Sequence, residues 1–353
     1  MEKRNFTLVL GGGGMKGLAH TGVLAALEER DFLPQDVVGS SIGSLIGAAW
    51  SAGMSASELK EIALAVRQRD LFRIAHRKMA LQRMRSPGLY RPEPLRNVIR
   101  GLLGDITFDE LKHPLIVNTV DINSGTQVLW GTPGLSDVPV ADAVIASCAL
   151  PGYLPPHEIQ GRYCMDGAAV ENLPVGIAAA RGRDLVIAVD VGSSGGLRAE
   201  LHLAGFAAVY ARAIEIAIAT RRTATLRRWR RPPLLLVQPR LEQYGLLAFG
   251  HNQELVDEGF RATAALLDDP DAVPDAKAEG VYPRRRYTVR VDRDHCIGCG
   301  ACLVHGPPGL FRLDRSGTAA VTESEQVWSP VDLDFVRQCP TYAIQAHARD
   351  EGG

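Results

Sequence analysis

The stretch GSSIGS at residues 39–44 has the form G-x-S-x-G, with Gly39 and Gly43 two residues either side of Ser41. A serine hydroxyl is a weak nucleophile until a base takes its proton and N–H donors hold the oxyanion that forms. A sharp turn from strand to helix lifts such a hydroxyl out of the sheet. It also brings up a backbone N–H from the helix start, here that of Ile42. A second stretch, GGGGMKG at 11–17, lies between the first apolar run and the first helical pattern. Consecutive glycines can turn several N–H groups toward one point beside a helix N-terminus, and Lys16 adds positive charge nearby. A third, DGA at 166–168, is a turn that can fix the direction of the Asp166 carboxylate through Gly167 and Ala168. An aspartate one hydrogen bond from Ser41 could act as its base without a histidine.

Each of these motifs alone has an ordinary structural reading as a turn. GGGGMKG also fits G-x-G-x-x-G. A dinucleotide site, however, wants an acid at the end of the second strand to hold a ribose, and that strand ends in Gly39-Ser40-Ser41. A phosphate-binding P-loop fails as well, because Gly17 and not Ser or Thr follows Lys16. His20 lies four residues past Lys16 and reads as structural; His157 and His251 have no partner pattern.

The cysteines are distributed unevenly. Cys296, Cys299 and Cys302 follow C-x2-C-x2-C, and Cys339 precedes Pro340, whereas Cys148 and Cys164 stand apart and read as buried thiols. Three cysteines wrapped on a Gly-rich loop can aim their sulfurs at one inorganic core, which a remote fourth closes. Zinc sites generally use two separated pairs. With one such set present, all four sulfurs are expected on a single [4Fe–4S] cluster. The clustering also suggests a reducing compartment.

These residues need a scaffold, and the chain alternates short apolar runs with helical patterns over its first 250 residues. FTLVL (6–10), DVVG (36–39), PLIVNTV (114–120), TQVLW (126–130), DLVIAVDV (184–191) and PPLLLVQP (232–239) read as strands. MKGLAHTGVLAALEER (15–30) and IGSLIGAAWSAG (42–53) read as helices. The expected fold is α/β, with a mostly parallel sheet between helical layers. Residues 267–286, rich in Pro, Asp and Ala, read as a linker. The expected division is therefore a hydrolase-like domain at 1–265, a linker at 266–286 and a small α+β cluster-bearing domain at 287–353.

With 353 residues, 46% apolar and 22% charged, the chain has an ordinary globular composition, and its net charge of −1 provides no global pull toward nucleic acid. No apolar stretch suits a signal peptide or a membrane span, so a cytoplasmic protein is expected. Residues 67–100 hold ten Lys or Arg against two acids, interleaved with Met79, Leu81, Met84 and Leu89; residues 198–231 hold eight against two and include Trp229. Such stretches suit an anionic lipid surface or are simply solvated helix faces. No nucleic-acid recognition motif accompanies them.

GGGGMKG, GSSIG and DGA, in this order and spacing, resemble the patatin-like phospholipases. GGMKGLAHTGVLAALEE and ASCALPGYLPP (146–156) extend the resemblance over roughly residues 6–250. It implies a three-layer α/β/α hydrolase of lipid acyl esters, with Ser41 as nucleophile and Asp166 as base of a Ser-Asp dyad. It further implies an oxyanion loop of Gly12, Gly13 and Gly14 with Lys16 close by, the Ile42 amide contributing. Gly17, Gly39, Gly43, Gly167 and Ala168 support the motifs. The C-terminal stretch, with PGLFRLD and CPTYAI, resembles small single-cluster bacterial ferredoxins of the monooxygenase-associated type. In that region nine acids stand against six bases, a bias suiting a cationic redox partner. Two functions follow as expectations: a lipid-acyl hydrolase carrying a redox module, or an electron carrier whose hydrolase-like domain serves docking or membrane targeting.

Overall fold

The computed structural model describes residues 4–71, 88–192 and 206–348. The chain forms two compact units, one of residues 1–222 with 236–269 and the other of 223–235 with 270–353.

The apolar runs of the first unit become its sheet. The strands are β1 (Phe6–Leu10), β2 (Asp36–Ser40), β3 (Leu115–Asp121), β4 (Gln127–Trp130), β5 (His157–Ile159), β6 (Arg162–Asp166), β7 (Leu185–Val189) and β8 (Leu234–Val237). Their order is β5-β6-β3-β2-β1-β7-β8, with β4 pairing β3 off this path. β3, β2, β1 and β7 run parallel, and every residue of these four strands is buried, as a sheet covered on both faces requires. β4 and β6 pair antiparallel to β3, and β5 antiparallel to β6.

Helices fill the two layers around this sheet. They are α1 (Ala19–Glu29), α2 (Ile42–Ser51), α3 (Ala56–Ala65), α4 (Gln68–Leu71), α5 (Glu93–Leu103), α6 (Val140–Ser147), α7 (Ala168–Glu171), α8 (Val175–Ala179), α9 (Phe206–Arg227) and α10 (Asn252–Leu267). A 3-10 turn over Gly14–Leu18 leads from the glycine run into α1. α1 and α10 cross backbone to backbone. A Cβ on Gly22 would lie 1.9 Å from the Val256 carbonyl, and one on Gly259 1.9 Å from that of Ala19. This crossing presses the first helix, and with it the end of the glycine run, into a fixed position.

The second unit is built on β10 (Arg285–Val291), flanked antiparallel by β13 (Glu325–Trp328) and β14 (Ile344–Ala348). A hairpin of β11 (Phe311–Leu313) and β12 (Ala319–Val321) joins it, along with the short helices α11 (Ala301–His305) and α12 (Asp334–Arg337). Phe335 lies at the centre of its core, with Phe311 and Trp328 edge-on to it at 5.6 and 5.5 Å. The stretch expected as a linker is more ordered than its composition suggests. It carries β9 (Val281–Tyr282), parallel to Leu234 and Leu235 of β8, and the first residues of β10. Pairing to an apolar strand outweighs the local Pro and Asp content here. Among the described residues no helix is long and apolar enough to cross a membrane.

Candidate active site

Ser41 stands between the last residue of β2 and the first of α2, with φ 54° and ψ −130°. For a residue other than glycine this is a strained backbone, costing on the order of 1–3 kcal/mol, and it persists only where its surroundings hold it. Here they do. The Ser41 N–H donates to Ser147 Oγ at 2.8 Å, and Ser44 returns both its N–H and its hydroxyl to the Ser41 carbonyl at 2.9 and 2.6 Å. The flanking glycines make the turn possible. A Cβ at Gly39 would meet the Ser44 backbone at 2.5 Å, and one at Gly43 the Leu10 carbonyl at 2.1 Å.

Asp166 ends β6 and is almost wholly buried. Its Oδ1 accepts from the Ala168 N–H at 2.9 Å, the turn expected of DGA, while Oδ2 is buried without a hydrogen-bond partner. Burial pushes the carboxyl up to about 6, against the opposing pull of the Ala168 N–H and of the nearby Ser41 hydroxyl. A buried oxygen lacking a proton donor, beside a serine, is poised to accept one. Gly167 is glycine because a Cβ there would lie 2.4 Å from the Asn118 side chain.

Both residues open onto one cavity of about 670 Å³, which Gly13, Gly14, Lys16 and Ile42 also line. The rest of its wall is mainly apolar, including Leu45, Leu95, Leu154, Ile214, Ile218 and Leu246. The size falls in the range of small-molecule sites. Gly17 lets the loop close on the helix start: a Cβ there would lie 2.0 Å from the Ile42 side chain.

Gly12 differs from its expected role. Its N–H donates to the Asn172 carbonyl at 3.1 Å, so that amide is spent inside the protein. Its contribution is space instead, since a Cβ there would lie 3.1 Å from that of Ser41. The oxyanion donors left from the expected set are the amides of Gly13, Gly14 and Ile42. Nothing in the local sequence marked Asn172, Ser147 or Asn118, whose backbone carbonyl accepts the Ser147 hydroxyl at 2.8 Å. Their partners are remote in the chain, so a local pattern has no access to them.

His20 is fully buried, with Nε2 2.8 Å from the Gly11 carbonyl. A carbonyl can only accept, so Nε2 carries the proton and Nδ1 is left buried without a partner. Burial lowers the imidazole to about 4, against the pull of the Gly11 carbonyl and Asp190. The neutral ring braces the glycine run rather than relaying protons to Ser41. The thiols of Cys148 and Cys164 are both raised by burial, as inert thiols are.

Of the two basic stretches, residues 72–87 and 198–205 lie outside the described residues. Met79, Leu81 and Met84 lie outside the described residues; Leu89 lines the cavity. Trp229 is buried, its ring N–H donating to the Pro232 carbonyl at 2.6 Å, which removes it from the expected surface. Arg222 is committed to Asp190 at 2.8 Å. On α9, Val209, Tyr210 and Ile216 remain exposed.

In the second unit Cys296, Cys299, Cys302 and Cys339 line one small cavity, and none is in a disulfide. The loop carrying the first three needs glycine at 298 and 300, where φ is 68° and 74°. The Ala319 N–H reaches the Cys296 sulfur at 3.5 Å. Burial raises the Cys339 thiol, but the Thr341 hydroxyl and the N–H groups of Thr341, Ala343 and Ile344 outweigh it and bring the thiol below its ordinary value. Cys302 is raised by burial and by the three other sulfurs. Four thiols lining one cavity, two of them with N–H donors from neighbouring residues, fit an iron–sulfur core. Among the described residues, no three His, Cys, Asp or Glu side chains close on a position for a single metal ion.

Comparison with known sequences finds two matched regions. Residues 8–179 match the family described as patatin-like phospholipase, and residues 289–346 that described as a 4Fe-4S single cluster domain. The first of these regions thus resembles a patatin-like phospholipase domain. An uncharacterized NTE family protein of Mycobacterium tuberculosis is 33% identical over 187 residues, which are 53% of this chain and 49% of that protein. The human patatin-like phospholipase domain-containing protein 6 is 35% identical over 53% of this chain and 13% of its own length. Lysophospholipase NTE1 of Mycosarcoma maydis is 30% identical over 75% of this chain and 15% of its own. This chain therefore spans half or less of the length of these relatives. Among solved structures, VipD from Legionella pneumophila aligns over 76% of this chain and 67% of its own with 14% identity and a TM-score of 0.40.

Proposed function

We propose that this protein hydrolyses acyl esters of lipids, with Ser41 as nucleophile and Asp166 as its base. One observation carries the reading: a strained serine at a helix start and a buried carboxyl, its Oδ2 without a hydrogen-bond partner, line the same mainly apolar cavity. As Ser41 Oγ bonds to the ester carbonyl carbon, its proton passes to Asp166 Oδ2. The amides of Gly13, Gly14 and Ile42 hold the negative oxygen, each donor contributing on the order of a hundredfold in turnover. Collapse of the tetrahedral intermediate breaks the ester C–O bond, and Asp166 returns the proton to the leaving alcohol. Water, deprotonated by the same carboxylate, then releases the fatty acid from Ser41. The apolar walls suit an acyl chain, and the lysophospholipase among the relatives makes phospholipids with one or two chains the first substrates to test.

The C-terminal domain is proposed to hold a [4Fe–4S] cluster on Cys296, Cys299, Cys302 and Cys339. Such a cluster supplies one-electron transfer, either to a redox protein partner or as a control on the hydrolase. The carrier reading, with the first domain serving docking or peripheral membrane contact, rests on that cavity of four thiols. Hydrolysis of a chromogenic short-chain ester and of a lipid panel by the parent and by Ser41→Ala separates the two. Turnover lost with Ser41 supports the hydrolase; no Ser41-dependent turnover on any ester leaves the carrier.

A further inference from the structure

Gly12 is gripped at both of its backbone groups by one residue. Its N–H donates to the Asn172 carbonyl at 3.1 Å, and its carbonyl accepts from Asn172 Nδ2 at 3.0 Å. The Gly12 carbonyl and the Gly13 N–H belong to the same peptide plane and point in opposite directions, because that bond is planar and trans. Whatever fixes the carbonyl therefore fixes the direction of the Gly13 amide. Glycines on both sides leave this plane free to flip, since neither resists positive φ. A flip would turn a carbonyl toward the place where an oxyanion must sit. We propose that Asn172 is the positioning residue of the oxyanion loop, holding the Gly12–Gly13 peptide in its donating orientation. The inference rests on the hydrolase reading above and adds a determinant of its rate.

The surroundings are built for this grip. A Cβ at Gly12 would lie 2.4 Å from Asn172 Oδ1, and one at Gly192 2.8 Å from Nδ2 and 3.1 Å from the Gly12 carbonyl, so both positions are kept bare. Asn172 follows α7, the short helix that begins just after Asp166, and Asn118 Nδ2 ties that helix down through the Glu171 carbonyl at 2.8 Å. One segment thus carries the proposed base at its start and the loop clamp at its end.

Asn172→Asp keeps the shape and removes the donor. Its ionised carboxylate would oppose the Gly12 carbonyl oxygen and favour the flipped peptide. The expected result is a fall in kcat on the order of a hundredfold with KM little changed. Affinity for an alkyl boronate, which forms a tetrahedral anion on Ser41, should fall by a similar factor, whereas affinity for the fatty-acid product should not. Relative to the parent at each pH, Asn172→Asp should recover as the pH falls and its carboxyl, protonated, donates again. Amide hydrogen exchange in the Gly11–Leu18 peptide should quicken while the rest of the domain is unchanged. Full kcat in Asn172→Asp, equal losses toward boronate and fatty acid, or unchanged exchange in that peptide would each overturn the proposal. A parent inactive on every ester and blind to boronate sinks the hydrolase reading instead, and the exchange measurement then still decides whether Asn172 clamps the loop. Should Asn172→Asp not fold, Asn172→Ala deletes the same donor and carries the same expectations for kcat, boronate and exchange.

Discussion

The backbone N–H of Ser41 rests on Ser147, 2.8 Å from its Oγ, and the same hydroxyl donates to the Asn118 carbonyl at 2.8 Å. A single buried hydroxyl thereby links the turn bearing the proposed nucleophile to the strand beside Asp166. Ser147 is fully buried at the end of α6, so nothing else can take over its two bonds. Ser147→Ala takes this partner from the part-buried Ser41 N–H and from the buried Asn118 carbonyl, a loss of about 1–3 kcal/mol for a buried group left unsatisfied and less for a part-buried one. Thermal unfolding should show that loss, and ester turnover should fall more than tenfold as the strained turn relaxes. Ser147→Thr keeps the hydroxyl and should retain more of both.

The state of Asp166 sets a pH dependence. As a base it must be ionised, so kcat/KM should rise with pH through about 6 in the free protein. A profile flat from pH 5 to pH 8, measured on a neutral ester, would remove Asp166 from the role of base.

Stability should run the opposite way. Because the folded carboxyl is raised from 3.8 to about 6, folding takes up a proton between those values, and stability falls as the pH rises through that window. Asp166→Asn removes the buried charge and keeps an oxygen for the Ala168 N–H. Above pH 7 it should be the more stable protein, by on the order of 2–3 kcal/mol, while losing turnover. Denaturant unfolding of both proteins at pH 5 and pH 8 checks the sign: the gain must be larger at pH 8.

Two glycines separate steric need from simple helix propensity. At Gly43 an added methyl would sit 2.1 Å from the Leu10 carbonyl, a backbone atom that cannot step aside. Gly43→Ala should therefore fail to fold or lose several kcal/mol. Gly101, within α5, has nothing within 4 Å of the same position. Gly101→Ala should stabilise the protein by about 0.5–1 kcal/mol in the same unfolding experiment.

The four-cysteine cavity predicts a brown protein when it is prepared anaerobically, with absorption from sulfur-to-iron charge transfer that bleaches with dithionite. Iron and sulfide analysis should approach four of each per chain, and Cys339→Ser or Cys302→Ser should lose the colour. A colourless protein carrying zinc would overturn the cluster.

Much of this was legible before any coordinates. The strands FTLVL and DVVG fall where their apolar runs place them, since a sheet buried on both faces needs unbroken apolar sequence. The glycines around Ser41 and the C-x2-C-x2-C spacing are local facts that only a few backbone shapes satisfy. The ordering of residues 281–286 was not legible, because strand pairing depends on a partner that composition does not reveal. Trp229 was misjudged for the same reason: its burial depends on what covers it.

By itself, then, the sequence determined which residue types are present at the turns, whereas what a side chain would meet there depends on the fold, as at Gly43 against Leu10 and Gly12 against Asn172. Only the tertiary structure decided which amides are committed inside the protein and which carboxyl is raised by burial. The Gly12 amide is consumed, and its carbonyl held, by a residue 160 positions away; the Ser41 amide is carried by one 106 positions away. Hydrogen-bond direction and pKa are set by whatever stands within a few ångströms in space, and separation along the chain does not encode that.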